Sequence, residues 1–231
     1  MHRLKRADLR PQFAKWGLLP KSQGKRPTCS VFVVTAALEF AAAQRHQAGF
    51  VLSEEYLNWA SNEAIGEHAD GGFFSDLWKG YLKHGICEAR LAPYCEEYDP
   101  AWEPVKGARR QGHSFREDGY ELSWIKPWDV TTGLAEDEME AILQTLRSGL
   151  PVCAGLRWPK EPKWDNGLLG MCPAEEVFDG HSVLMVGFAF DRPESPEGVF
   201  IFRDSGSGGR YASLPFEFAR AYVNDAAVIS E

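Results

Sequence analysis

Cys29 and Gln23 are the first residues whose types and spacing could carry out covalent chemistry. Cys29 stands where a polar loop containing Gly24 and Pro27 becomes a long apolar segment, which predicts a helix beginning at or near Thr28. The free N–H groups and dipole of a helix start favour an anion, so they lower the pKa of a thiol there. The Gln23 amide, six residues upstream, can point at the same place along a folded loop. A thiolate beside a hydrogen-bond donor suits acyl transfer, although a free cysteine is more commonly a small buried side chain.

Helical patterns dominate the half of the chain that must position this cysteine. The Cys29 helix is expected to end near Gly49. Ser53, with two acidic residues directly after it, is typical of a helix start, and this second helix is predicted to run to about Ala64. A third helix is predicted over residues 75–84, where apolar side chains recur every three to four positions.

Two stretches are predicted to lack regular structure. Residues 1–22 are expected to be an extended or irregular lead-in because Pro11 and Pro20 oppose a continuous helix. The polar run over residues 106–119 is expected to be a surface loop because it carries no periodic apolar face.

The second half of the chain is predicted to be mainly β. One amphipathic helix is expected over residues 135–148, after a short strand near residues 121–125. Further strands are predicted, separated by turns at residues 191–198 and 204–209. They cover residues 150–156, 182–190, 199–203 and 226–229.

The bulk composition is that of an ordinary globular protein. The 231 residues are 44% hydrophobic and 25% charged, with a net charge of −8. The first 26 residues carry eight basic residues and one acidic residue, so they hold +7 and the remainder holds −15. This balance gives the whole chain no general reason to bind nucleic acid or an anionic membrane, and it favours a basic segment docked on its own acidic body.

The five cysteines argue against a structural metal site. None of them forms a C-x-x-C pair, so no zinc site is predicted. No apolar signal segment follows the basic start, and the longest apolar stretch is too short to span a bilayer. We therefore expect a cytoplasmic location with reduced thiols.

Four pieces of sequence, in this order, resemble the papain-like cysteine peptidases, particularly the bacterial members. The resemblance covers residues 8–231 and lies in the order and spacing of the pieces. Asp8-Leu9-Arg10 resembles the start of the mature domain in that family. The four pieces are Gln23-Gly24 followed by Cys29; Leu52-Ser53-Glu54-Glu55 followed by Asp70-Gly71-Gly72-Phe73; Gly180-His181-Ser182-Val183-Leu184-Met185-Val186-Gly187-Phe188; and Phe202-Arg203-Asp204-Ser205-Gly206.

The resemblance implies an α+β fold of two lobes with an active-site cleft between them. A mainly helical lobe over residues 1–110 would carry the nucleophile. A lobe resembling an antiparallel β-barrel, over residues 111–231, would carry the histidine and the acidic residue. The implied substrate is a protein or peptide, with no cofactor.

Carried over residue by residue, the resemblance makes Cys29 the nucleophile and His181 the general base. Gln23 would donate a hydrogen bond to the oxyanion, and Asp204 would orient His181 by accepting from its Nδ1–H. An imidazole near the thiol gives a thiolate–imidazolium pair before substrate arrives, and it can return the proton to the leaving amine. Without the resemblance, His181 would be interpreted as a structural histidine at the end of a strand. Asp204 would be interpreted as a turn residue.

The implied substrate-binding surface includes Gly71, Gly72, Phe73 and Gly180. A glycine edge unobstructed by side chains lets an extended peptide pair with the backbone, although Gly71-Gly72 also reads as an ordinary turn. Gly180 lets a ligand or a facing lobe approach closely.

The chain departs from the family pattern at four positions. Asp204 replaces an asparagine, and Gly206 replaces a tryptophan that covers the third member of the triad, so water is expected to reach that hydrogen bond. Ser30 replaces an aromatic residue, and Arg26 replaces a cysteine that usually forms a disulfide.

Three functions remain open from the sequence. The first is a cysteine endopeptidase; because only 22 residues precede Gln23, we expect no inhibitory prosegment and an activity that is narrow or gated by a regulatory protein partner. The second is a transglutaminase- or deamidase-like enzyme, which would use the same acyl-thioester chemistry. The third is a non-catalytic binding module that keeps the cleft.

Overall fold

The computed structural model describes residues 5–190, 192–206 and 208–231. Arg3 of the basic segment, and Asp191 and Ser207 of the two predicted turns, lie outside these ranges. The helices in the described part are α1 (Arg10–Lys15), α2 (Cys29–His46), α3 (Glu54–Ile65), α4 (Phe74–His84), α5 (Lys106–Arg116), α6 (Glu136–Arg147) and α7 (Phe216–Tyr222). The strands are β1 (Arg6–Asp8), β2 (Glu121–Lys126), β3 (Val152–Pro159), β4 (Trp164–Asp165), β5 (Leu168–Leu169), β6 (Val177–Ala189), β7 (Val199–Asp204), β8 (Arg210–Pro215) and β9 (Val223–Ser230).

Helix α2 is the centre of the molecule. Every side chain from Ser30 to Ala43 is buried. A helix that is apolar or small-sided all round is stable only when it is covered on all sides. Here α3 and α4 contact it, and so do strands β3, β6 and β9. The first residue of α2, Cys29, therefore lies where the helices meet the sheet.

The other helices of the first half form a lobe around α2. Ser53 caps α3 as predicted, since its hydroxyl accepts a hydrogen bond from the Tyr56 N–H at 2.9 Å. Helices α3 and α4 are in backbone contact, because a Cβ at Gly80 would collide with Ser61. We call α2–α5 the helical lobe.

The strands form a single nine-stranded sheet, in the order β2-β9-β3-β6-β7-β8-β5-β4, with β1 paired to β6. All described pairings are antiparallel except that of β5 with β8. We call this sheet with α6 and α7 the β lobe. It was expected to resemble a barrel, and among the described strands the sheet remains open rather than closed.

The N-terminal segment is more regular than predicted. Residues 6–8 pair with Gly187–Ala189 of β6, which makes them part of the β lobe. Pro11 lies in the first turn of α1, where its missing N–H costs nothing because that group has no partner within a helix. Strand β1 agrees with the predicted extended lead-in, whereas helix α1 was not predicted.

Helix α5 corrects the prediction of a loop over residues 106–119. Its buried face consists of Ala108, Gly112 and Phe115, a spacing of four and three residues. Two of these side chains are small or absent, so the sequence shows no apolar stripe. A Cβ at Gly112 would collide with the hydroxyl of Tyr56, which explains why a glycine stands in this helix. The predicted lobe boundary at residue 110 falls inside α5 and stays a prediction.

Two basic residues of the N-terminal segment pair with acidic residues of the helical lobe. Lys21 lies 2.8 Å from Glu39 of α2 and also pairs with Glu54 of α3. Arg26 pairs with Glu55 of α3. This arrangement agrees with the expectation that the basic segment docks on the acidic body of its own chain.

Candidate active site

Cys29 lies half-buried at the start of α2. Thr28 occupies the N-cap position, but its hydroxyl bonds to the Tyr94 hydroxyl at 2.7 Å and makes no side-chain cap. Burial alone would raise the pKa of Cys29. Hydrogen bonding and charge from His181, with further hydrogen bonds from Ser182, outweigh burial and bring that pKa below its ordinary value.

The other four thiols behave in the opposite way. All five cysteines are free. Burial raises the pKa of the remaining four, to about 12 for Cys87. These four are Cys87, Cys95, Cys153 and Cys172. Cys29 is therefore the thiol with the greatest thiolate character at neutral pH.

His181 faces Cys29 from strand β6 of the other lobe. This strand begins at Val177, so His181 lies within it and not at its start as predicted. Its Nε2 atom is 2.9 Å from Oδ1 of Asp204. The prediction that Asp204 accepts from Nδ1–H was wrong. Asp204 ends β7, the strand that pairs with β6, and its contact with Nε2 leaves Nδ1 as the free ring nitrogen.

His181 and Asp204 each stabilise the charged form of the other. Burial would lower the pKa of His181, but hydrogen bonds and charges from Asp204 and Cys29 raise it to about 9. Burial would likewise raise the pKa of Asp204. Hydrogen bonding and charge from His181, with the Gly206 N–H and the Arg210 charge, hold it below its ordinary value. These shifts favour a charged imidazolium beside the Asp204 carboxylate and move Cys29 toward its thiolate form.

A cleft cavity of about 270 Å³ opens over Cys29 and His181. Both lobes contribute to its walls, and three of the predicted substrate-binding residues, Gly72, Phe73 and Gly180, are among them. Asp204 lies behind His181. Gln23 and Gly71 are not among the lining residues. The lining consists of Pro27, Cys29, Ser30, Gly72, Phe73, Phe74, Trp128, Gly155, Gly180, His181, Ser182, Asn224 and Asp225.

Gln23 is held from both lobes beside this cleft. Its Nε2 donates to the Arg26 carbonyl at 2.8 Å, and its Oε1 accepts from the Ser205 hydroxyl at 2.8 Å. Its backbone N–H donates to the Ser205 carbonyl at 2.9 Å. A primary amide carries two N–H bonds, so the bond to Arg26 leaves the second available for another acceptor.

The glycine edge is partly occupied by the chain itself. The Gly71 N–H donates to Oδ1 of Asn58 at 2.9 Å, and Gly71 is buried. The Gly72 N–H donates to the Ser30 hydroxyl over a longer 3.3 Å. Gly72 is exposed, so of these two glycines it is the one a peptide can reach.

Comparison with known proteins identifies the type of fold. No protein-family model and no curated protein sequence matches the chain. The structure is similar to xylellain, a cysteine protease from Xylella fastidiosa, with 19% identity over 98% of this chain and 86% of that one and a TM-score of 0.75. It is also similar to digestive procathepsin L 3 of the Tenebrio molitor larval midgut, with 18% identity over 99% of this chain and 70% of that one and a TM-score of 0.67. The chain has a papain-like two-lobe fold. The fold class predicted from the sequence is confirmed.

Trp158 of β3 packs against the ring of His181. Its ring centroid is 4.6 Å from that of His181. The side chains of His181 and Asp204 are only 14% and 3% exposed. The expectation that Gly206 leaves their hydrogen bond open to water was therefore wrong, because an aromatic residue from another strand shields it.

Ser182 is a site residue that sequence reasoning did not assign. Its backbone N–H and its side chain both help to lower the pKa of the Cys29 thiol. Ser182 was noted only within the third resembling piece and as the first residue of a predicted strand, with no role of its own. A serine beside a histidine in a strand carries no distinctive signal.

Asp225 was also missed. It lines the cleft although it is only 4% exposed, and a Cβ on Gly155 would collide with its carboxylate. Burial raises the pKa of Asp225 to about 6, against the opposing effects of the Gly155 N–H and of Lys126. An acidic residue directly before the apolar strand predicted over residues 226–229 was the available signal.

A second cavity, of about 430 Å³, adjoins the first through shared walls. Phe73 of the helical lobe and Trp128 of the β lobe line both cavities. Their ring centroids are 5.3 Å apart, so the two aromatic side chains meet across the cleft. Both are about half exposed, and their contact narrows the space that a ligand can enter.

The described residues hold neither a metal-binding cluster nor a membrane-spanning helix. Within those residues, no group of three or more His, Cys, Asp or Glu side chains is arranged to hold a metal ion. None of the described helices combines the length and the apolar character needed to cross a bilayer.

Proposed function

We propose that this chain is a cysteine endopeptidase that hydrolyses peptide bonds through an acyl-enzyme on Cys29. The main support is the convergence of Cys29, His181 and Asp204 at the cleft between the lobes. The thiol has a lowered pKa and the imidazole a raised one. This supports a thiolate–imidazolium pair that exists before substrate arrives.

In acylation, the Cys29 sulfur attacks the scissile carbonyl carbon and a tetrahedral intermediate forms. The oxyanion accepts hydrogen bonds from the Cys29 backbone N–H and from the remaining N–H of Gln23. The C–N bond then breaks, and the departing amine takes the Nδ1 proton of His181. The product is a thioester on Cys29, with a neutral imidazole held by Asp204.

Deacylation uses the same groups in reverse order. Nδ1 of neutral His181 removes a proton from water, and the resulting hydroxide attacks the thioester carbonyl. When the C–S bond breaks, the sulfur leaves as a thiolate paired with the imidazolium. Asp204 and Trp158 keep the ring in one orientation throughout, because one binds Nε2 and the other packs against the ring.

We also propose that the activity is narrow or gated by a regulatory protein partner. The contact between Phe73 and Trp128 supports this, because a substrate must fit beside or displace it. An extended peptide would pair with the exposed Gly72 and lie against Phe73, with Gly180 on the opposite wall.

Mass spectrometry after treatment with an epoxysuccinyl-peptide inhibitor tests the proposal. We expect Cys29 alone among the five thiols to be labelled at pH 7, because only its pKa is lowered. Cys29→Ser should lose both labelling and peptide cleavage. Equal labelling of several thiols would argue against the assignment. Ammonia release from glutamine-containing peptides without chain cleavage would indicate the deamidase chemistry instead.

Asp225 should make peptide binding depend on pH. Its carboxylate is neutral below about pH 6 and charged above it. The preference for peptides carrying Lys or Arg over matched neutral peptides should therefore rise with pH through this value. The expected gain is about tenfold, the effect of one charge-assisted hydrogen bond.

The ratio of kcat/KM for the two peptides between pH 5 and pH 7.5 measures this effect. Asp225→Asn keeps the shape of the side chain and should give a ratio that does not change with pH. A ratio with the same pH dependence in the variant would show that Asp225 is not responsible.

A further inference from the structure

Arg26 is a buried cation with carboxylate partners on two different segments. Its side chain is only 4% exposed. Nε and Nη2 donate to Asp70 at 3.0 and 2.8 Å, and Nη1 donates to Glu55 at 2.6 Å. Nη1 also donates to the Cys95 carbonyl at 2.8 Å. We call Arg26, Glu55 and Asp70 the Arg26 clasp.

The surroundings keep Arg26 charged and fixed. Burial would lower its pKa, but the hydrogen bonds to Asp70 and Glu55 and the charge of Glu55 outweigh burial and raise it. The guanidinium lies 4.5 Å from the ring centroid of Tyr94 and 5.7 Å from that of Tyr98. A planar fork with five donors can bind Asp70 through two N–H groups and still reach Glu55, a fixed geometry that the compact ammonium group of lysine does not offer.

The clasp joins the two segments that form one wall of the cleft. Arg26 pairs with Asp70, and the residues that follow them are Pro27 and Gly71. These two are in backbone contact, since a Cβ at Gly71 would collide with the Pro27 carbonyl. One residue further along the second segment, the Gly72 N–H donates to Ser30. Segment 70–72 therefore runs beside segment 26–30, with Cys29 between the contact points.

We propose that Arg26 is a positioning residue that sets the distance between the nucleophile and the edge on which a peptide substrate lies. This inference rests on the proposed peptidase function. Asp70 precedes Gly71-Gly72 directly, so its position determines where the exposed edge runs. Arg26 precedes Cys29 by three residues and is anchored on α3 through Glu55. Without the pairing to Asp70, the edge is held to the nucleophile segment by the Ser30 bond and glycine backbone contacts alone.

Two reagents with different requirements separate positioning from chemistry. Iodoacetamide needs only the Cys29 thiolate, whereas an epoxysuccinyl-peptide inhibitor also needs the edge to bind its peptide portion. In Asp70→Asn, which keeps the side-chain shape, we expect the rate constant with the peptide reagent to fall by at least about tenfold. The rate constant with iodoacetamide should change by less than about twofold, because the substitution leaves the Cys29 thiolate unaffected.

Glu55→Gln is the matched control, because it removes the other carboxylate of the same buried arginine. Both variants should have a lower Tm than the parent chain, and each is assayed at the same interval below its own Tm. Only Asp70→Asn should change the ratio of the two rate constants. An equal change in both variants, or none in Asp70→Asn, would overturn the inference while leaving selective Cys29 labelling intact. Failure of both reagents to label Cys29 selectively in the parent chain would remove the proposed function and the inference with it.

Discussion

Replacing His181 with alanine is expected to lower kcat/KM for peptide hydrolysis at pH 7 by about 10⁶-fold, the cost found when the histidine of a catalytic triad is removed. Two losses combine. Cys29 loses the hydrogen bond and charge that offset its burial, so its pKa rises and the thiolate fraction falls. The leaving amine also loses its proton donor.

Two measurements separate these losses. The pH dependence of Cys29 alkylation by iodoacetamide should move to higher pH in His181→Ala, and hydrolysis of a fluorogenic peptide should fall further than alkylation does. His46→Ala is the control, because His46 also pairs with an aspartate, Asp118, at 2.9 Å but on the exposed surface. It should change neither quantity. An alkylation profile that does not move in His181→Ala would contradict the proposed ion pair.

Substitutions of Asp204 should shift the basic limb of the pH profile of kcat/KM. The pKa of His181 is raised to about 9, so the imidazolium is present below that pH and is lost as the pH rises through it. Asp204→Asn keeps an acceptor for Nε2–H but removes the charge. The pKa of His181 should fall toward its ordinary value near 6.5, and the basic limb should move down by at least about one pH unit.

Asp204→Ala should be more damaging than Asp204→Asn. It removes the acceptor as well as the charge, so the ring loses its fixed orientation and kcat/KM at pH 7 should fall by about a hundredfold. Profiles of kcat/KM from pH 5 to pH 10 report the ionisations of the free enzyme. Circular dichroism and Tm check that each variant is folded. A basic limb that stays near pH 9 in Asp204→Asn would show that the carboxylate does not raise the pKa of His181.

Local patterns in the sequence were sufficient for several elements of the site. The helix at Cys29, the cap at Ser53 and the strand around His181 depend on interactions between residues close in the chain. The order and spacing of the four resembling pieces also predicted the papain-like fold, which the structure confirms. Helix α5 was missed because two residues of its buried face, Ala108 and Gly112, are small, so no stripe of large apolar side chains marks it.

The sequence by itself determined which residue types are present, where the Cys29 helix begins and which fold class results. Only the tertiary structure decided which imidazole nitrogen faces Asp204, which aromatic residue covers His181 and which carboxylates hold Arg26. Each of these depends on residues far apart in the chain, such as Arg26 with Asp70 or Trp158 with His181. Their meeting is set by strand register and by the packing of helices against the sheet, and neither is encoded in any short stretch of sequence.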